Sequence, residues 1–471
     1  MNILYVSQYF PPEACAPAAR VDEFAREWVQ GGHHVSVLTG FPNHPEGVLH
    51  PEYKRRWWKG LAREERQGVK VTRTWLYPAA NRGLWGRAAN YASFAISAAL
   101  AGPWIAPRGG VVIATSPQLL VGLAGWIAAR LGGARYVFEV RDLWPQSLEA
   151  VGQTSRRSLL YRALDRVSSF LYRRADHIVV DGEAKRQVLT ARGVPPEKVS
   201  VVRNGVAEDF ALDPESDAAL RARERIRREL GLQGRFIVMY AGTLGMAHGL
   251  GTVLDAARRL SPSSDVAVVL LGEGAERTAL FGPAHSVTST GAVNDSPVPA
   301  NVRYLGKLPR PEIPAYLAAA DVCLVPLRRS EVFKTAIPSK MFEAMAAAKP
   351  VILGVEGEAR EILEQARAGL AVPPEDADAL AEAILRLRHD AALACELGAN
   401  GRRAALEKYS RRRQAAVYVE LLDGLVARRD SRHAPHDVPA PELGAAKPPE
   451  KDAGRAGALR EPRTERWNVD S

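Results

Sequence analysis

Short apolar, β-branched runs alternate with helix-patterned stretches along nearly the whole chain, and no other feature restricts its fold so tightly. The first series predicts strands near 2–6, 34–39, 69–76, 111–115, 136–140, 177–180 and 199–202. Helices fit between them near 17–30, 84–105, 118–131, 155–173 and 183–192. After an Asn204-Gly205 turn and a polar, charge-dense stretch at 213–230, the alternation restarts. Strands follow near 235–241, 265–271, 301–305, 321–325, 350–354 and 370–372, with helices near 248–260, 311–319, 338–347, 358–366, 376–389 and 391–408. Strands joined through helical crossovers pair in parallel. The pattern therefore demands an α/β fold with two Rossmann-like, doubly wound parallel sheets, one in 1–204 and one in 205–409. A further amphipathic helix at 410–427 is a candidate to return to the first domain. From about Arg428 the chain turns Pro-, Ala- and charge-rich and loses periodicity, so 428–471 is expected to be a disordered tail. Residues 281–300, rich in Ser, Thr, Gly and Pro, replace an expected crossover helix and read as a mobile insertion with at most one turn at 275–281 before it.

The densest chemistry lies in Ile337-Pro338-Ser339-Lys340-Met341-Phe342-Glu343, directly after the strand expected at 321–325. Pro338 suits a first helical turn, where its missing N–H costs nothing. The free N–H groups of that turn favour an anion, and Lys340 adds a full charge beside them. Glu343 sits one turn on, within reach of sugar hydroxyls. An anion site beside a hydroxyl-binding carboxylate describes a nucleotide-sugar pocket, and open α/β sheets bind ligands at the carboxyl ends of their strands.

Other positions carry two readings each. Asp142 follows the strand at 136–140 and points to the cleft, yet an Asp there is also an ordinary helix N-cap. Glu13 lies after the first strand beside Ala14, Cys15 and Ala16, small enough for close ligand approach, or it is a solvated turn. Arg20, early in the next helix, is placed to reach the same cleft. Gly242 and Gly245 bracket a strand-to-helix turn that lets phosphate approach backbone N–H groups; alone such a pair would also suit a dinucleotide dehydrogenase, but neither half has a full fingerprint with its acidic ribose residue. His33 and His34 follow Gly31-Gly32 as a helix C-terminus, and Asp376 and Asp378 open a helix, so no metal is expected.

The three cysteines, Cys15, Cys323 and Cys395, are far apart and fit a reducing cytosol rather than a disulfide framework. No signal peptide is apparent, since Met1 leads at once into the first strand. The net charge of +10 is uneven: residues 1–204 hold 27 Lys+Arg against 16 Asp+Glu, and 53–108 alone hold 11 against 2. That window also contains Trp57, Trp58, Trp75, Trp85 and Trp104. Cations interleaved with Trp suit an anionic membrane surface; a solvated basic face over core tryptophans explains the same residues. Nucleic acid would accept the charge, but no nucleic-acid motif accompanies it, so no nucleic-acid partner is expected. The apolar stretch Tyr91 to Ala106 is too short to span a bilayer and reads as a buried or interfacial helix.

Taken in order, these phrases resemble the retaining glycosyltransferases of family 4, of GT-B architecture with two domains facing a cleft. The likeness covers about 1–427 and rests on Tyr9-Phe10-Pro11-Pro12-Glu13, Gly31-Gly32-His33-His34-Val35, Asn204-Gly205-Val206, Gly242-Thr243-Leu244-Gly245, Gly272-Glu273-Gly274, Ala320-Asp321 and Lys340 to Ala346. Arg141-Asp142-Leu143-Trp144-Pro145 and Pro338-Ser339-Lys340 are similar to the branch with bacterial fucosamine and colanic-acid transferases, which builds O-antigen, capsule and exopolysaccharide units on a lipid carrier. The resemblance implies a cytoplasmic enzyme, peripheral at the inner face of the membrane, moving sugar from a nucleoside diphosphate (UDP before GDP) to a lipid-linked glycan. It implies retention without an enzyme nucleophile or metal cofactor, Asp142, Glu13 and Lys340 acting in catalysis, and Gly272, Ser339 and Pro338 lining the donor pocket. Family members often carry two glutamates eight positions apart; Glu343 matches the second, which holds ribose, and Thr335 stands at the first. Where the family has an Arg and a Lys on the diphosphate, this chain has Thr243 and His248, leaving Lys340 as the substitute charge, with Arg328, Arg329 and Lys334 upstream. Two rival readings are a GT-B nucleotide-sugar epimerase and a non-catalytic relative acting as a binding partner.

Overall fold

The computed structural model describes residues 1–433 apart from Ala14, 81–83, Val151, 262–264 and 283–297, and for Leu84 and 428–433 the backbone alone. The first eight strands are β1 Asn2–Val6, β2 His34–Gly40, β3 Leu61–Arg66, β4 Val69–Thr74, β5 Val111–Ser116, β6 Arg135–Val140, β7 His177–Val180 and β8 Val199–Val201. They form one sheet in the order β3-β4-β2-β1-β5-β6-β7-β8, parallel except for the β3–β4 pair. The next six are β9 Phe236–Ala241, β10 Val266–Leu271, β11 Val302–Tyr304, β12 Val322–Pro326, β13 Val351–Gly354 and β14 Gly369–Ala371. They make a second, wholly parallel sheet in the order β11-β10-β9-β12-β13-β14.

Both faces of each sheet are covered, which is why the strands read as unbroken apolar runs. In β1, Leu4 and Val6 enter the core beneath helices Leu84–Ile105 and Leu119–Gly132, while Ile3 and Tyr5 pack on the other face against Phe24 and Trp28 of helix Ala16–Gln30. The final helix, Arg411–His433, joins that second face through Ala415, Tyr418 and Leu422. Trp28 Nε1 donates to the Ala415 carbonyl at 2.9 Å, and the Tyr418 ring meets Phe24 and Trp28 edge-on. Such aromatic pairs contribute about 0.5–1.5 kcal/mol each beyond the area they bury. The chain thus crosses between domains at Gly205 and returns at Ser410–Arg411, where Val206 bridges to Ser410. Residues 1–429 form one compact unit.

Most differences from expectation fall outside these cores. The polar stretch at 213–230 holds a helix, Asp217–Glu229, capped by Ser216 and tied down by Arg223 and Arg227 on Asp321. The charged run Leu61–Arg66 is the antiparallel edge strand β3. The helix expected at 155–173 starts at Leu159 under a Ser158 cap, preceded by a short turn, Gln146–Ala150. The final helix runs to His433, past the expected end at 427, and the rest of the expected tail lies outside the described residues. Most of the expected insertion at 281–300 lies outside them too, after the short helix Arg277–Phe281.

Candidate active site

In the second sheet the chain reverses its build direction between β9 and β12, which lie side by side. Loops leaving two such strands diverge and open a crevice at their carboxyl ends. Gly242, Thr243 and Gly245 leave β9, and the segment from Leu327 to Lys340 leaves β12. The β10 loop closes one side at backbone contact: a Cβ on Gly272 would lie 1.8 Å from the Gly242 carbonyl oxygen, and one on Gly274 2.3 Å from that of Leu244. Only glycine fits there.

Lys340 extends from helix Ser339–Ala346 into this crevice. Its Nζ donates to Tyr240 Oη at 2.7 Å and lies 4.2 Å from the centre of that ring. A Cβ on Gly242 would come within 2.8 Å of Nζ. No carboxylate pairs with the ammonium among the described residues; burial pushes it down to about 7, against the pull of Glu343. Tyr240 Oη in turn donates a hydrogen bond to the Thr243 carbonyl at 2.6 Å. His248 meets the Tyr240 ring edge-on, and burial, with Lys340 beside it, lowers it to about 3, so it is uncharged. Pro338 occupies the cap position before Ser339, and no side chain caps the helix, so its first N–H groups are left open to a ligand.

Glu343 is partly exposed one turn further on, with Arg310 Nη1 at 3.7 Å. Arg310 also bonds Glu23 of the first domain at 3.2 Å, and Glu23 pairs with Arg411 at 2.5 Å. Thr335 turns its hydroxyl back to the Val332 carbonyl at 2.8 Å. The three upstream cations already have partners: Arg328 with Glu276, Lys334 with Glu331, and Arg329 with the Pro374 carbonyl.

Across the cleft, Asp142 is exposed at the surface yet set among enough protein to be desolvated. That desolvation raises its carboxyl, with Asp181 adding and Lys185 and Arg141 opposing. Glu13 is buried, and its oxygens accept the N–H groups of Phe10, Asn43 and His44 at 3.3, 3.0 and 3.0 Å, while burial pushes it up to about 7. It braces two loops of the cleft wall. Arg20, expected to reach the cleft, is sealed at 2% exposure. It pairs with Glu139 at 2.7 Å and donates to Asn204 Oδ1 and the Val202 and Arg203 carbonyls. Its reach is toward the interdomain crossing instead, because its helix packs the sheet face that this crossing closes.

One contact escaped the sequence. Glu358 of the second domain accepts the N–H groups of Glu183 and Ala184, at 2.9 and 2.8 Å, capping a helix of the first domain, and pairs with Arg203. As an acid in the first turn of its own helix, it looked unremarkable by position. Among the described residues no group of three or more His, Cys, Asp or Glu could hold a metal ion.

The pattern of the family described as "Glycosyl transferase 4-like domain" matches residues 16–205, and that of "Glycosyl transferases group 1" matches 235–390. Together they cover 346 of the 471 residues. The chain belongs to the glycosyltransferase 4-like family. Its similar relatives include the probable glycosyltransferase WbjE of Pseudomonas aeruginosa, 30% identical over 59% of this chain and 66% of that protein. A GDP-mannose-dependent phosphatidylinositol monomannoside mannosyltransferase of Mycolicibacterium smegmatis is 30% identical over 49% and 56%. The amylovoran biosynthesis glycosyltransferase AmsK of Erwinia amylovora is 30% identical over 42% and 44%. The matches thus span from under half to about two thirds of these relatives' lengths. Among solved structures, sucrose-phosphate synthase of Thermosynechococcus elongatus superposes with a TM-score of 0.67 over 91% of this chain and 99% of that one, at 20% identity. HepE of Anabaena, in complex with UDP and glucose, gives 0.63 over 89% and 99%, at 17%. These likenesses make the fold GT-B.

Proposed function

We propose that this chain transfers a sugar from a nucleoside diphosphate, UDP before GDP, to a lipid-linked glycan during O-antigen, capsule or exopolysaccharide synthesis, retaining the anomeric configuration. The observation that carries the reading is the Lys340 ammonium, without a carboxylate partner among the described residues and set against Gly242 at the β9/β12 switch point, with Glu343 one turn away. Diphosphate oxygens would replace Tyr240 as the strongest partner of Lys340, and the uncapped helix start would add N–H donors. Glu343 would take the ribose hydroxyls, and Asp142 would face the acceptor. No protein nucleophile is required: the leaving phosphate oxygen takes the acceptor proton on the face where the new bond forms, and the protein supplies positioning and charge. HepE's complex with UDP favours a uridine nucleotide, the mannosyltransferase keeps GDP as the alternative, and the names of WbjE and AmsK favour a polysaccharide product. Metal-independent transfer is part of the proposal and is checked by adding chelator to the assay.

The test is transfer from UDP- and GDP-sugars to membrane-extracted lipid-linked acceptors, after a thermal-shift panel of the free nucleotides has shown which one binds. Donor turnover without acceptor would favour an epimerase instead. Within that assay, Glu343→Ala should weaken free nucleotide and donor alike, by about tenfold to a hundredfold for a charged hydrogen-bond pair of about 1.5–3 kcal/mol. Unchanged nucleotide affinity in Glu343→Ala would remove the carboxylate from the ribose.

The acceptor side calls for a membrane surface, and the first domain has one of the right chemistry. Helix Leu84–Ile105 leaves Trp85, Ile96, Leu100 and Trp104 exposed by 85, 63, 71 and 90%, a stripe along its outer face. Ser97 of this helix donates to the Trp75 carbonyl at 2.5 Å, and Trp75 stacks on Trp57 at 5.9 Å, which joins the stripe to the exposed cations Lys54, Arg55, Arg56 and Lys59. No helix among the described residues is long and apolar enough to cross a membrane. A helix lying in the interface, with Trp at both ends and cations alongside, matches an anionic bilayer. In flotation with anionic liposomes, Trp85→Glu/Trp104→Glu should cut bound protein by tenfold or more, since each large apolar side chain inserted contributes about 1.5–3 kcal/mol. Charge reversal at 54–59 should abolish the preference for anionic over neutral lipid. Equal flotation of wild type and both variants would end the idea.

A further inference from the structure

Among the described residues, the cleft holds a cation whose side chain has no hydrogen-bond or ion-pair partner. Arg141 follows β6, and its main-chain N–H donates to Ser116 Oγ at 3.1 Å. Its guanidinium bonds nothing among the described residues: Nε and Nη1 are both shielded from solvent and without a partner. Five other arginines have a shielded Nε without a hydrogen bond, but each has a side-chain partner: Arg26 forms an ion pair with Asp22 through that Nε, and Arg87 reaches Gln153, Arg135 Asp176, Arg186 Glu183 and Arg411 Glu23 through another nitrogen. Arg141 differs in that no nitrogen of the group has a hydrogen-bond or ion-pair partner among the described residues; it acts on Glu139 and Asp142 only through its field. The nearest strand carboxylate, Glu139, is consumed by Arg20 and by the Tyr5 hydroxyl, and Asp142 makes no ion pair with it. A guanidinium stays protonated at any working pH, so it cannot escape the cost of burial by becoming neutral. A retained idle charge of this kind indicates a partner that arrives from outside.

Its position says from where. β6 neighbours β5, whose loop with that of β1 opens the switch point of the first sheet. Cys15, in the β1 loop, feels the field of Arg141 from its own domain and of Lys307 from the other. The helix Gln146–Ala150, five residues on, packs against the 331–335 turn of the second domain, just upstream of Lys340. Arg141 therefore sits on the cleft floor where the domains meet. In the donor crevice, meanwhile, Thr243 is neutral, His248 is uncharged and Lys340 titrates near 7, while Arg328 and Arg329 are engaged with Glu276 and the Pro374 carbonyl.

Building on the nucleotide-sugar reading, we propose that Arg141 binds an anionic oxygen of the donor substrate across the cleft, supplied by the diphosphate or by a carboxylate on the transferred sugar. Isothermal titration of wild type, Arg141→Gln and Arg141→Lys with UDP, UDP-glucose, UDP-glucuronate and GDP tests this. Arg141→Gln should bind at least tenfold more weakly, and Arg141→Lys, which keeps the charge, should recover part of the loss. An equal loss for all the nucleotides assigns the oxygen to the diphosphate. A loss confined to UDP-glucuronate assigns it to the sugar carboxylate. Thermal melting separates a local effect from misfolding: removing an idle buried charge should leave the melting temperature unchanged or higher, whereas a structural arginine would lower it. Unchanged affinity for every probe in Arg141→Gln overturns the proposal. Wild type that binds neither UDP nor GDP overturns the nucleotide-sugar reading on which it rests, and Arg141 with it.

Discussion

Lys340→Ala should lower the turnover of sugar transfer by about 100-fold while changing the Michaelis constant for donor much less. Leaving-group charge grows as the glycosidic bond stretches, so an ammonium against the diphosphate stabilises the transition state more than the bound donor. Removal of one such contact costs on the order of 100-fold in turnover. In the free protein the ammonium rests on Tyr240, no carboxylate among the described residues forms an ion pair with it, and burial takes its pKa to about 7 against the pull of Glu343. A bound diphosphate favours the protonated form, so nucleotide binding should take up a proton at neutral pH and above. The sign follows directly. Below pH 7 the lysine is charged with or without ligand, and affinity is flat. Above it, affinity should fall by up to about tenfold per pH unit until the pKa of the complex is reached. Glu13, pushed up to about 7 by burial, titrates in the same window, but it belongs to the other domain. The Lys340→Ala variant separates them, since a slope that survives the substitution comes from elsewhere. Wild-type turnover in Lys340→Ala, or a flat affinity profile in wild type, would move the diphosphate away from this residue.

What made Lys340 legible is that its setting is local. Strand, loop and helix follow one another within about 25 residues of sequence, and a parallel α/β topology forces the loop to the carboxyl edge of its sheet. The sheets were legible for a related reason. Strands buried on both faces, such as β1 and β10, read as continuous apolar runs, and the helix expected at 84–105 has those bounds in the structure. Elements without that signature were lost. Leu61–Arg66 carries four charges in six residues because β3 is an edge strand whose outer face meets water. Asp217–Glu229 buries only Ala219 and Ile226, two turns apart, so its apolar period is too sparse to stand out. The roles of Arg20, Glu13 and Glu358 were illegible in another way. Each is decided by distant partners, 119 to 184 positions away for Arg20, 30 and 31 for Glu13 and 155 to 175 for Glu358, and nothing in the flanking residues encodes which carboxylate or N–H the fold will deliver. Charge type can be read along a chain, but whether a charge is spent within the fold or kept for a ligand is settled only when the elements meet.

Arg20 tests that distinction through the stability of the first domain. If it contacts substrate, Arg20→Ala should leave folding intact and weaken binding. The geometry predicts the reverse. Arg20 and Glu139 are 2% and 1% exposed, 2.7 Å apart, and Arg20 also ties β6 to the Val202–Asn204 segment where the chain leaves the first domain. Truncating it strands a buried carboxylate, which costs about 3–5 kcal/mol. Because two domains need not unfold together, the quantity to follow is the first transition in a urea titration, read by tryptophan fluorescence. That midpoint should move sharply down in Arg20→Ala. Burial alone would raise the Glu139 carboxyl, but Arg20 holds it below its usual range, so the pair's stability is present at neutral pH and lost as pH falls through that lowered value. In Arg20→Ala the carboxyl should instead titrate upward, and the deficit should shrink in mild acid. Arg20→Met/Glu139→Gln, which removes both charges and keeps their volume, should recover most of the loss. A normal urea midpoint in Arg20→Ala, with nucleotide or acceptor binding impaired, would return this arginine to the cleft.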